Sequence, residues 1–421
     1  MKFKIFQQFK PISISLSPNV QKDDVVLALK LIFQPWKWKS GNAIEQLENE
    51  FKKYLGVKYA FSFNSGRSSL FAILKSLIEV EDLKGGDSIL LQVFTCNAVP
   101  NPILWAGLNP VYIDCNSEFN IDIDDLKNKV KPGGVLIVQH TFGLPASMDE
   151  ILKIAKENNL IVIEDCAHAL GAEYNNQKVG TFGNAAFFSF SRDKVISCVY
   201  GGMAVTNDDQ IGKKLEQLQK EFGYPSYFWI FQQLLHPILL YYIILPMYHF
   251  LDLGKIFLIL SQWFGFLSKA VSWQEKKGLK PDYFPKALPN ALSLMALNQF
   301  NKLEKFNAHR KKIAEFYYQE LQGTKFGLPK KENNIFLRFA VTHPKAHEII
   351  YEAWHKENIL IGDWYTTPIA PDDTKLPEMK YTIGMCPNAE ELAQKTLNLP
   401  THINISKSDA QRIIDFLKKW K

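Results

Sequence analysis

No C-x-x-C pair occurs in the sequence, and its five cysteines (Cys96, Cys115, Cys166, Cys198 and Cys386) lie far apart in odd number. A disulfide framework and a clustered metal site are therefore set aside. The thiols read as buried groups of a protein kept in a reducing, cytoplasmic compartment. Excess charge is scarce as well. A formal net charge of +6 over 421 residues, with no basic run interleaved with aromatics, gives nucleic-acid binding little footing, although it still favours acidic small molecules. The opening stretch MKFKIFQQFKPISISL has no apolar core long enough for a secretory leader and no small-residue cleavage site, so none is expected. Repeats and low-complexity tracts are missing too. With 47% hydrophobic and 22% charged residues, the composition is that of an ordinary folded protein large enough for two domains.

Between residues 57 and 208, short β-rich runs alternate with helical patterns. The runs are Tyr59 to Phe63, Ser88 to Phe94, Pro110 to Asp114, Val135 to Thr141, Leu160 to Asp165, Ala185 to Phe190 and Met203 to Thr206; helices are expected at 66–80, 97–106, 122–129 and 147–158. This alternation predicts an α/β layer with a mostly parallel sheet flanked by helices. Residues 288–321 read as one long helix or two joined ones, and 335–421 as a smaller α+β part ending in a helix from Ser408 to Trp420. The expected division is a large domain over 1–285 and a smaller C-terminal domain over 286–421 that begins with the long helix.

Ligands of parallel sheets sit beyond the carboxyl ends of the strands, so the strand ends carry the search. The first runs into Asn64, Ser65, Gly66, Arg67 and Ser68 at a helix start, which suits an anion; simple capping by serine is the alternative. The second ends in Glu164 and Asp165 with His168 close behind. A carboxylate there needs a partner, either a ligand nitrogen or a structural group of the chain. The third, FFSFSRDK, places Ser189 and then Lys194 at the end of an apolar strand, where desolvation frees an amine for attack on carbonyl carbon; a solvated loop lysine is the alternative. An anion nest, a carboxylate and a lysine at three strand ends are together what pyridoxal phosphate requires.

The stretch IEDCAHALGAEYNNQKVGTFGNAAFFSFSRDKVISCVYGGMAVTND resembles the central signature of the DegT/DnrJ/StrS family of sugar aminotransferases, which have the fold-type I pyridoxal phosphate transferase architecture. SGNAIEQLENEFKKYLGVKYAFSFNSGRSSL, FTCNAV, LPNALSLMALNQFNKLEKF and CPNAEELAQKTLNLPTHINIS extend the likeness over most of the chain. By position, the resemblance implies Lys194 as the amine that holds the cofactor's aldehyde, Asp165 as the partner of its ring nitrogen and His168 beside its ring hydroxyl. These three are the implied catalytic residues. It further implies Phe94 as an aromatic stacked on the cofactor, Ser65, Gly66, Arg67 and Ser189 around its phosphate, and Asn290 reaching the site from the neighbouring subunit of a homodimer. Tyr365, in GDWYTTP, falls near the segment that approaches the sugar in relatives. No metal is implied. The implied reaction moves an amino group from L-glutamate to a keto sugar, nucleotide-linked, in amino-sugar or cell-surface polysaccharide synthesis. Another pyridoxal phosphate reaction, or an idle membrane-associated scaffold, is the alternative. Two positions depart from the family pattern: Arg67 replaces a small hydroxyl residue, which makes the phosphate turn more cationic or rearranges it, and Ser191 stands where many relatives have histidine. The presence of Lys194 speaks against the dehydratase branch. Arg192 and Asp193 read as the solvated side of the turn.

One segment fits none of this. From Phe222 to Leu267 the only charged residues are Asp252 and Lys255, and Tyr227 to Leu251 is long enough to span a bilayer, though Pro237 and Pro246 interrupt it. A single crossing would put Lys194 and Asn290 on opposite sides. The insertion, about 222–271, is therefore expected to lie against a membrane surface through its lysine flanks or to be covered by a domain or dimer contact.

Overall fold

The computed structural model describes residues 10–420; most of the N-terminal stretch read for a leader lies outside them. Its centre is a seven-stranded sheet of β1 (Tyr59–Phe63), β2 (Ser88–Gln92), β3 (Asn109–Ile113), β4 (Val135–Gln139), β5 (Ile161–Asp165), β6 (Ala185–Ser189) and β7 (Gly202–Thr206), in the order β1-β7-β6-β5-β4-β2-β3. Every neighbouring pair from β6 to β3 is parallel, and β7 runs antiparallel to both β6 and β1. The mostly parallel sheet expected from the alternation is present. Its strands differ from the expected runs by no more than two residues at an end. The reason is burial on both faces: along β6, Ala185 and Phe187 enter the core on one side while Ala186 and Phe188 enter the other.

Helix α1 (Lys22–Ile32), α2 (Ala43–Leu55), α3 (Gly66–Val80) and α4 (Asp209–Phe222) belong to this layer, with α3 running beside β6 and β7. The long helical stretch is two helices, α7 (Asn290–Phe300) and α8 (Leu303–Leu321). Residues of α7 join the core of the sheet layer, whereas from Ile313 onward the side chains build a second core around the antiparallel pair β8 (Phe339–Thr342) and β9 (Thr396–Leu399). A two-residue parallel bridge, Ile369–Ala370 on Thr95–Cys96, ties this part to the wall beyond β2.

The insertion has two unlike halves. Helix α5 (Tyr227–Leu239) is capped by the Ser226 hydroxyl, which accepts from Trp229 N, and continues through a wider turn at 240–244. Tyr227–Ile244 is the one helix, among the described residues, long and apolar enough to cross a membrane. It lies against α1, with Trp229, Ile230 and Leu234 in the same core as Trp38, Tyr200 and Phe284. That half of the insertion is a contact inside the fold. Helix α6 (Leu253–Trp263) is different, being buried only at Gly254 and Ser261.

Candidate active site

A cavity of about 560 Å³ opens at the carboxyl ends of β4, β5 and β6, which contribute Gln139, Asp165 and Ser189 to its lining. Ser65, Gly66, Arg67, His168, Lys194 and Tyr365 line it as well, so eight of the ten expected residues, all but Phe94 and Asn290, lead into one space.

The turn between β1 and α3 forms as the serine-rich sequence dictates. Ser65, in extended conformation, accepts from Ser68 N at 3.0 Å, and Ser65 O accepts from Ser69 N. Among the described residues, the Gly66 and Arg67 N–H groups at this helix start have no acceptor. Glycine is required twice here. A Cβ on Gly66 would stand 3.0 Å from Ser189 Cβ, and one on Gly202 would stand 2.5 Å from the carbonyl carbon of Ser65. The result is a turn seated directly on the ends of β6 and β7, with the Ser189 hydroxyl beside it.

Arg67 does not make this turn more cationic. Its Nε lies 2.8 Å from Glu275, a fully buried carboxylate of the insertion, and its NH2 donates to Ala270 O at 3.0 Å. Burial opposes the charge, but Glu275 beside it holds the guanidinium above its ordinary pKa, so charge enters and is cancelled in the same place. Arg192 likewise corrects the expectation of a solvated turn: it is buried and its NH2 donates to both the carbonyl and the hydroxyl of Ser268 at 2.7 Å. Tyr200 completes the set by donating its hydroxyl proton to Lys269 O. Three carbonyls of the insertion's return limb thus hold residues of the site, a link with no local signal in sequence.

Asp165 ends β5 buried, its Oδ1 accepting from Ala167 N at 2.9 Å. Burial raises its pKa to about 6, against the lowering effects of the Ala167 N–H, Lys194 and His140. His168 accepts from Phe142 N through Nδ1 at 3.3 Å, which assigns the ring proton to Nε2. Its ring is stacked between Phe142 and Trp364, and burial, then Lys194 and Arg338, hold its pKa well below the ordinary value. Lys194 Nζ stands 4.8 Å from the centre of the Trp364 ring. Burial lowers its pKa to about 8; Cys96 and Asp165 resist that shift and Arg338 adds to it. The lysine's backbone is braced from behind. Asn19 Nδ2 donates to Lys194 O at 2.6 Å and to Val195 O at 3.1 Å, while buried Arg310 donates to Asn19 Oδ1 at 3.0 Å and to Val195 O at 2.8 Å.

Two expected residues lie elsewhere. Phe94 adopts φ 66°, which turns its ring into the core, where it stacks on Phe119 and meets Tyr365 edge-on; Thr95 and Cys96 line the cavity in its place. Asn290 donates to Lys37 O at 2.7 Å and accepts from Ala43 N at 3.1 Å, which holds its amide in place and leaves its second N–H and a lone pair of its oxygen uncommitted. Next to the cavity, His140, Glu164 and Cys166 form a buried group. Glu164 accepts from Gly180, Phe182 and Gly183 N–H as well as from His140, and His140 Nδ1 accepts from Ala146 N, so this group is a brace with no imidazole lone pair to spare.

The profile described as the DegT/DnrJ/EryC1/StrS aminotransferase family matches residues 20–228 and 284–418. The GDP-perosamine synthase of Escherichia coli O157:H7 is 36% identical over 176 residues, 41% of this chain and 47% of that protein, so the chain spans about half the length of this relative. The UDP-N-acetyl-3-dehydro-alpha-D-glucosamine 3-aminotransferase of Acidithiobacillus ferrooxidans is 26% identical over 404 residues, 94% of each chain. Among solved structures, the Helicobacter pylori aminotransferase PseC, of pseudoaminic acid biosynthesis, superposes with a TM-score of 0.74 at 22% identity, covering 97% of this chain and 99% of its own. Neighbours at the same TM-score carry bound PLP or PMP.

Proposed function

The chain belongs to the DegT/DnrJ/EryC1/StrS aminotransferase family, whose cofactor is pyridoxal 5′-phosphate, and from that premise we propose that it transfers an amino group from L-glutamate to a nucleotide-linked keto sugar. The product would serve amino-sugar or cell-surface polysaccharide synthesis. The residues fit the cofactor: two N–H groups without acceptors and a hydroxyl converge at a turn where a Cβ would fill the space, and a carboxylate and an amine face the same cavity. When bound, the cofactor supplies an aldehyde that takes up amines and a ring that withdraws electrons from the adjoining carbon.

In this reading the Gly66 and Arg67 N–H groups and the Ser189 hydroxyl hold the phosphate through the helix start. Asp165, ionised above about pH 6, keeps a proton on the ring nitrogen. His168, neutral with its proton on Nε2, donates toward the ring hydroxyl and is kept in plane by Phe142 and Trp364. Lys194 Nζ would hold the cofactor's aldehyde and, as a free amine, would serve as general base and acid for the proton on the donor's amine-bearing carbon. Its pKa of about 8 suits both directions near neutrality. Tyr365, with Trp364, walls the side where the sugar enters. Five free cysteines suit a cytoplasmic setting, and a homodimer sharing Asn290 is the proposed assembly.

The observation that carries this function is the convergence of Lys194, Asp165 and the Gly66 turn in one cavity. A screen of nucleotide keto sugars with L-glutamate, following 2-oxoglutarate release, tests it. The Lys194→Ala variant is expected to keep its circular dichroism and lose turnover; a fully active Lys194→Ala protein would refute the assignment.

A further inference from the structure

The exposed half of the insertion points to a partner that the catalytic reading does not require. Helix α6 touches the body along a narrow line. A Cβ on Gly254 would stand 2.3 Å from Ile244 O; Ser261 is buried, and Leu258 packs against the cluster of Leu240, Ile244 and Leu267. At 100° per residue, the remaining apolar side chains sweep an arc of about 160° on the opposite side. Ile259 is 64%, Trp263 77% and Phe264 62% exposed within that arc, and Lys255 and Gln262 occupy its one polar flank. A partner helix or groove needs a stripe at i, i+3 and i+4, whereas an arc this wide with lysines following it in the chain is the pattern of a helix lying in a lipid interface.

Charge around the arc favours the same occupant. From Asp252 to Lys280 there are five lysines and two acids; Asp252 pairs with Lys255 at 2.8 Å, Glu275 is buried and committed to Arg67, and Lys276 pairs with Asp373. Lys269, Lys277 and Lys280, without an acidic partner among the described residues, follow the apolar helix in the chain, with Trp273, 60% exposed, among them and Lys277 over its ring. Residues 229–283 fall outside the family match, so this surface is an addition to the shared fold.

We propose that α6 and the lysines following it seat the protein on an anionic lipid surface. Because Ser268, Lys269 and Ala270 are bonded to Arg192, Tyr200 and Arg67, docking α6 fixes the rim of the cavity beside that surface.

The test is flotation of the holoenzyme with vesicles of phosphatidylcholine alone and of phosphatidylcholine mixed with phosphatidylglycerol. The intact protein is expected to float with the anionic vesicles and to be released by salt. The triple variant Ile259→Ser, Trp263→Ser, Phe264→Ser and the variant Lys269→Gln, Lys277→Gln, Lys280→Gln are each expected to stay at the bottom of the gradient. Retained cofactor absorbance shows that both variants are folded, and none of the six residues belongs to the catalytic machinery. Flotation of the variants equal to that of the intact protein overturns the proposal. So does absence of flotation of the intact protein, including the case in which sedimentation shows a self-associated species that the triple variant dissolves, since a second copy then covers α6. Turnover with a soluble acceptor is measured on the same preparations, so failure to bind vesicles is separable from failure of the aminotransferase assignment.

Discussion

Asp165 combines two demands that pull in opposite directions. Its pKa is raised by burial from 3.8 to about 6, so the folded state binds its proton more tightly than the unfolded state does. The sign follows: folding is not penalised below pH 4, the penalty grows as the pH rises from about 4 to about 6, and it is fully present above that, at about 3 kcal/mol. Asp165→Asn keeps an acceptor for Ala167 N–H while removing the charge. The apo-protein of this variant is expected to melt several degrees higher at pH 7 than the unsubstituted apo-protein. The two should converge at pH 4, and turnover should be lost at every pH. Lys194 gives a separate profile. The rate at which apo-protein takes up pyridoxal phosphate, followed by absorbance, should rise about tenfold per pH unit and level off near pH 8, because only the neutral amine attacks. An Arg338→Met variant removes one cation that lowers this pKa and should move the plateau upward.

Elements were legible wherever their reason was local. The strands from Tyr59 to Thr206 follow from apolar runs bounded by turn residues, and the α3 start from Ser65 and Gly66. The site residues on those strand ends, Asp165, Ser189 and Lys194, were therefore legible too. Phe94 was not, because a left-handed backbone angle after β2 decides which way its ring points. The contacts of Asn290 within its own chain were not, because Lys37 and Ala43 lie about 250 positions away. The same distance hides the brace behind Lys194, in which Asn19, Arg310 and Val195 meet from three elements. Asn19→Ala removes both hydrogen bonds to that turn and leaves Arg310 with one fewer acceptor. It is expected to cost about 1–3 kcal/mol in denaturant unfolding and to lower kcat more than it raises KM.

For the whole molecule, the apolar insertion reads as two structures with different duties. Helix α5 packs one face into the core, while α6 remains outside. The return limb carries a third duty, since Glu275 and Ser268 answer two buried guanidinium groups. Breaking a buried ion pair by removing one partner costs about 3–5 kcal/mol. Glu275→Gln should accordingly lower the denaturation midpoint and weaken cofactor retention even though Glu275 lies in the insertion. Deleting residues 229–283 outright should yield insoluble protein, whereas the α6 surface variants stay soluble and folded. A soluble deletion variant with normal absorbance would show that the limb is dispensable.

Those clamps also limit how the insertion can be transplanted. A chimera that grafts residues 229–283 into a relative would import carbonyls and a carboxylate that expect Arg67, Arg192 and Tyr200 in the host. The reverse graft, a relative's short connection placed here, would strand two arginines. Insertion and site therefore form one heritable module, and exchange between family members should succeed only when the three side chains travel with the segment.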